Sequence, residues 1–220
     1  MFKKSLLVAA LCAVSYGAQA WDVPKISSVT GGDKATQPSG NVEKEVSDFT
    51  GKSAELAAVA NVSLVAINSA FDTEEQIAAK KAELSKIDAM TDPKEKGAAT
   101  AKLNESESAQ AAKNLKSADA EKKVKELSAD KQKKMGTALL NFGIAALKAP
   151  DLISKGQSII SATSLANVAK VMPVKDAMPL LGRFVSDGGS TIAGFMKIAK
   201  GANIAVPEVS ATSSYAKVDI

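Results

Sequence analysis

The chain contains no histidine and one cysteine, Cys12. The first absence removes the commonest general base and the commonest transition-metal ligand, and with them the serine and cysteine triads that depend on an imidazole. Aromatic residues make up 4% of the sequence, too few for the stacking platforms of sugar or single-strand binding. Of the 28 basic residues only Arg183 is an arginine, so the planar forks that read phosphate and base edges are missing as well. Nucleic-acid binding is therefore not expected.

The first twenty residues account for the cysteine. "MFKKSLLVAALCAVSYGAQA" has a basic start at Lys3 and Lys4, an apolar stretch from Leu6 to Val14, and the small-x-small ending Ala18-Gln19-Ala20. This is the pattern of a secretory signal cleaved before Trp21. Leu11 stands where a lipoprotein signal needs a small residue before Cys12. Residues 1–20 are thus expected to be a cleaved signal peptide, and the protein to be exported, periplasmic or extracellular. Losing Lys3 and Lys4 leaves 26 basic residues against 24 acidic. A mature chain without thiols has no disulfide, so packing alone must stabilise it.

Residues 21–40 hold Gly31-Gly32, Pro38 and scattered Ser and Thr without period, as a flexible leader would. Asn41 can cap a helix. From Val42, residues Phe49, Leu56, Ser63, Ala70, Ile77 and Leu84 recur every seven positions, with Ala60 and Ile67 between them, a stripe that one helix buries against another. Thr73 with Gln76 offers a second helix start, so a break near Asp72 is open. At "MTDPKEKG" Asp92 can cap, Pro93 fits the first helical position, and Glu95 can complete a capping box. Nothing then forces a stop before Leu147, although Ser117 could mark a break. A continuous helix there would be roughly 80 Å long at about 1.5 Å per residue. Its middle, 104–134, carries few large apolar residues beyond Leu115, Val124 and Leu127, so it pairs along a thin seam or projects into water. Pairs such as Glu121 with Lys125 and Lys122 with Glu126 support it locally.

At Lys134 charge gives way to Met135–Leu147, thirteen residues with none. As a helix this is roughly 20 Å, short of the about 30 Å hydrocarbon core of a bilayer. It is apolar on several sides, and Gly136 and Gly143 leave a flat strip for close approach. It reads as a helix passing into a core. Beyond Pro150 the composition changes again, with Leu152, Gly156, Ile159, Thr163 and Ala166 on one face. Pro173 and Pro179 bracket a short helix capped by Asp176, Gly188-Gly189 ends it, and Ser190 can cap a last helix. The tail, with Pro207 and a Ser/Thr cluster, is expected to be loosely held.

The fold class expected is all-α: a long antiparallel, coiled-coil-like helical hairpin arm over 41–134, an apolar base of shorter helices over 135–206 in the same domain, and a loose tail over 207–220. Chemistry is sparse. Ser164 and Lys170 are six apart and Ser154 and Lys155 are adjacent, neither being the one-turn spacing of a Ser-x-x-Lys dyad. "DTEEQ" lacks the alternation and glycine of a calcium loop, and "SDGGS" is a weak anion signal. The carboxylates lie among lysines at the spacing of solvated faces. No catalytic residue, cofactor or metal is expected, and the protein is read as a non-enzyme.

Two function classes remain. The first is an envelope interaction, scaffold or assembly factor acting through protein contacts or self-association, with Leu115, Val124 and Leu127 as partner-facing residues of the arm. The second is a lipid-binding or membrane-active protein, up to pore formation. It would use the mildly cationic region 135–206, with Phe142, Ile144, Phe184, Phe195 and Met196 facing lipid.

Overall fold

A computed structural model of the chain describes residues 42–163, 165–210, 212–218 and 220. The expected signal peptide, the leader and the Asn41 cap lie outside the described residues. Those described are all-helical, without a strand. The helices are α1 Val42–Asn68, α2 Glu74–Asp88, α3 Pro93–Leu115, α4 Ala120–Lys125, α5 Ala129–Ala162 and α6 Met172–Gly201, with a 3-10 segment Leu165–Val171 before α6.

The chain breaks where local chemistry offers a better partner for the backbone than the next helical turn. After Asn68 two tight turns lead to Thr73, whose hydroxyl accepts from Gln76 N while Gln76 returns a bond to Thr73 N, a complete capping box. Asp92 accepts from Lys94 N at 2.8 Å and Glu95 N at 2.9 Å, with Pro93 opening α3 as expected. The heptad stripe does not mark one long helix. It crosses a chain reversal at Ser69–Thr73, and Ile77 belongs to α2.

Contacts across the helices give their directions. Asn61 meets Thr100 and Asn68 meets Glu107 at the same offset of 39 residues, so α1 and α3 run parallel. Lys80 meets Glu107 and Lys96 lies near Asp88, so α2 runs against α3. Phe49 and Met178 both press on Gly156, where an added Cβ would lie 2.8 and 2.7 Å from them, and Phe142 approaches Gly188. Helix α5 therefore runs opposite to α1 and α6. The main core lies between α1, α5 and α6 and includes Phe49, Leu56, Leu64, Ile67, Leu139, Leu181 and Phe195, each buried to within 2% exposure. Each such side chain contributes about 1.5–3 kcal/mol relative to exposure. A smaller cluster of Val65, Ile87 and Leu103, with Leu84 and Ile220 against it, joins α1, α2 and α3.

The helices differ from the expected ones in several places. The stretch from Lys94 to Leu147 is not one projecting helix, because it breaks at Lys116–Asp119 and again at Glu126–Ser128, where Ser128 caps α5. Two breaks let Leu115, Val124 and Leu127 turn towards the same body, which a straight helix could not do with so few apolar residues. The charged run before Met135 is then the exposed first turns of α5.

Pro150 lies within α5. It faces solvent inside α5 while Ala149 and Leu152 are buried beside it, and this packing outweighs a cost of about 3 kcal/mol. Gly188-Gly189 likewise lies within α6, so neither Asp176 nor Ser190 caps a helix. Interior glycines cost about 1 kcal/mol each, less than α6 gains by burying Leu181, Phe184, Ile192 and Phe195 on one continuous face. The tail, expected to be loosely held, makes specific contacts: Asn141 bonds Ala216 in both directions, and Ile220 reaches the small cluster.

Candidate interaction surface and the polar seam beneath it

The residues expected to face a partner are held by the protein's own core. Val124 is 0% exposed, and Leu115 and Leu127 are half-buried against the main cluster. Leu115 fills the space left by Gly194 of α6, where a Cβ would meet its Cδ2 at 2.8 Å. Of the residues expected to face lipid, Phe142, Ile144, Phe184 and Phe195 are buried and Met196 is half-buried. Phe195 tilts against Phe71 with ring centroids 6.0 Å apart. No described helix is long and apolar enough to cross a membrane.

The contact between α1, α2 and α3 is of a different kind. Lys80 of α2 lies 2.8 Å from Asp72 Oδ2, 3.0 Å from Glu107 Oε2 and 2.9 Å from Gln110 Oε1. Gln110 Nε2 donates to Asp72 Oδ1 at 2.6 Å, and Asn68 Nδ2 donates to both Glu107 Oε2 and the Glu107 carbonyl. Asn114 donates to Asn68, Asn104 donates to Asn61, and Asn61 donates to the Thr100 carbonyl. The Asp72 and Glu107 side chains are 2% and 3% exposed. The Lys80–Asp72 Oδ2 contact acts through charge, since its angle is poor for a hydrogen bond.

Of these eight residues the sequence singles out only Asp72, at the start of "DTEEQ", though a signal for the others was there. Asn61 and Asn68 are seven apart in a stretch otherwise of Ala, Val, Leu, Ile and Ser. Asn104, Glu107, Ala111 and Asn114 share one helical face. A buried amide at a helix interface fixes register. Chemically the cluster is closed on itself: two carboxylates share one ammonium and two amides. A cleft of about 610 Å³ between the end of α6 and the start of the tail is lined by Met196, Lys200, Ile204, Val206 and Val209 among others, and none of the eight residues lines it. Among the described residues no group of acidic side chains is placed to hold a metal ion.

Outside the seam, α2 and the start of α3 carry a mixed charged face. Lys81, Glu83, Lys86 and Asp88 are exposed on α2, and Lys94, Glu95 and Lys102 on α3. Glu74 pairs with Lys131 of α5 at 2.9 Å, and Glu43 with Lys170 at 2.9 Å. Those lysines hold both carboxyls below their ordinary value, first by hydrogen bonding and then by charge. Comparison of the chain with protein-family models, with curated proteins and with solved structures gives no match in any of the three.

Proposed function

We propose that this is an exported, non-enzymatic helical-bundle protein that works through protein–protein contacts, as an envelope interaction, scaffold or assembly factor, and that the charged face of α2 and the adjoining turn of α3 meets the partner. The supporting observation is an imbalance. Helix α2 buries only Ile77 and Ile87, so it adds little to the core, yet it is anchored by a half-buried Lys80 satisfied by two other segments, whose carboxylates Asp72 and Glu107 are buried. Such an anchor fixes the position of an element whose own burial would leave it free to shift, as presentation of a surface requires. The partnered state of Asp72 and Glu107 also weighs against a catalytic carboxylate pair, which needs an open face.

The test is crosslinking capture by the protein expressed from Trp21, compared with a Lys81→Glu/Lys86→Glu variant of unchanged thermal stability. A partner captured by the first and lost by the second is the expected result, and equal capture would sink the reading. The lipid reading is weaker because Phe142, Ile144, Phe184 and Phe195 would have to leave the core. Co-flotation of the folded protein with anionic vesicles would revive it.

A further inference from the structure

The tail lies against α5 as a bound peptide would, and the contacts do not depend on its being joined to α6. It leaves α6 through Asn203, whose φ of 58° makes it the only described non-glycine residue in the left-handed region. It then runs up α5. The Ala205 carbonyl sits where a Cβ on Gly136 would meet it at 2.6 Å, and Val209 covers Gly143, whose Cβ would meet it at 2.9 Å. Ser210 and Ser213 turn the chain by bonding each other. Lys148 donates to the Ser213 carbonyl at 3.3 Å and lies 4.5 Å over the Tyr215 ring. On the way back Asn141 grips the main chain of Ala216, donating to its carbonyl at 2.6 Å and accepting from its N–H at 2.8 Å.

This is recognition of an extended segment through its backbone, with glycine strips for close approach and one cation for an aromatic side chain. The hold is light. Beyond Ile204 no described tail residue is fully buried, and the 610 Å³ cleft lies under the strap's first residues. Burial, and after it the charge of Glu55, push the Tyr215 phenol above its ordinary value.

We propose that the α5 face bearing Gly136, Asn141, Gly143 and Lys148 is a docking groove whose second occupant is the 204–220 segment of another copy of this chain, exchanged about Asn203. The groove's chemistry is already matched to that segment, and a single hinge residue decides whether it folds back or reaches out. Exchange of an identical element is a low-cost route to association. The inference uses a different face from the α2–α3 reading and does not depend on it.

Asn203→Pro in the full chain forbids positive φ, so the tail cannot turn back but can still reach a neighbour. In chromatography with light scattering the variant should show twice the monomer mass. Adding Asn141→Leu should return it to monomer. A folded, monomeric Asn203→Pro protein overturns the proposal, as does a dimer indifferent to Asn141→Leu. If Asn203→Pro does not fold, a labelled peptide of residues 204–220 is titrated into the wild-type full chain and into Val209→Asp, whose own tail is loosened. Binding at least tenfold tighter to Val209→Asp, and abolished by Asn141→Leu, is expected. No binding to either protein, or binding that survives Asn141→Leu, overturns it.

Discussion

Helix α1 faces two partners with opposite chemistry. Towards α5 and α6 it presents Phe49, Leu56, Ala60, Leu64 and Ile67; towards α2 and α3 it presents Asn61 and Asn68 over the smaller Val65 cluster. The apolar side tolerates irregularity, since a proline and a pair of glycines sit inside its helices without breaking them. The polar side tolerates little, because every group in it needs its partner at the right place. Burial by area is non-directional and strong, whereas a buried amide and charge network adds little net stability but specifies one register.

That contrast predicts how each side fails. Phe195→Ala should have the largest effect, about 3–5 kcal/mol, lost globally: the thermal midpoint falls and hydrogen exchange rises in α1, α5 and α6 together. Lys80→Met should cost about 3 kcal/mol, at the lower end for a broken buried pair because Lys80 is 13% exposed. The loss should be local, with exchange protection disappearing over 74–88 while α5 keeps its own. The triple change Lys80→Met/Asp72→Asn/Glu107→Gln, which removes all three charges at once, should recover most of it. If the single and triple variants unfold alike by denaturant titration, the seam is not held by charge balance.

The difference between the two sides also explains what could be read from the sequence. The all-helical class, the Thr73 and Asp92 starts and the entry of Met135–Leu147 into a core follow from apolar period and capping chemistry, which are local. The partner of a buried amide is not local. Asn61 and Asn104 are 43 residues apart and each alone is an ordinary helix-surface residue. The wrong stop at Gly188-Gly189 has the same origin, because the propensity against helix is a local cost and the packing that exceeds it comes from α1 and α5. Leu115, Val124 and Leu127 were assigned to an arm because two breaks, at Lys116–Asp119 and Glu126–Ser128, carry no proline or glycine to announce them.

A sharper form of the comparison concerns single polar atoms. The Ser53 hydroxyl, on the apolar side of α1 and 6% exposed, has no hydrogen-bond partner, so Ser53→Ala should stabilise the protein by about 1 kcal/mol, measured by denaturant titration. A loss of stability would mean that the hydroxyl is satisfied in solution.

The smallest effect belongs to neither interface. Lys131–Glu74 and Lys170–Glu43 tie α2 to α5 and the 3-10 segment to α1 across solvent. Their carboxyls are held below the ordinary 4.5 in the folded protein, so folding favours the ionised form. The stability they supply is present above pH 4.5 and is lost as pH falls through the lower folded value. Lys131→Ala and Lys170→Ala should therefore lower the thermal midpoint slightly at neutral pH and not at all in strong acid, and added salt should shrink the neutral-pH difference. A midpoint difference that persisted at low pH or in high salt would place these lysines in packing rather than in charge pairing, and would move them from the surface to the seam's side of the comparison.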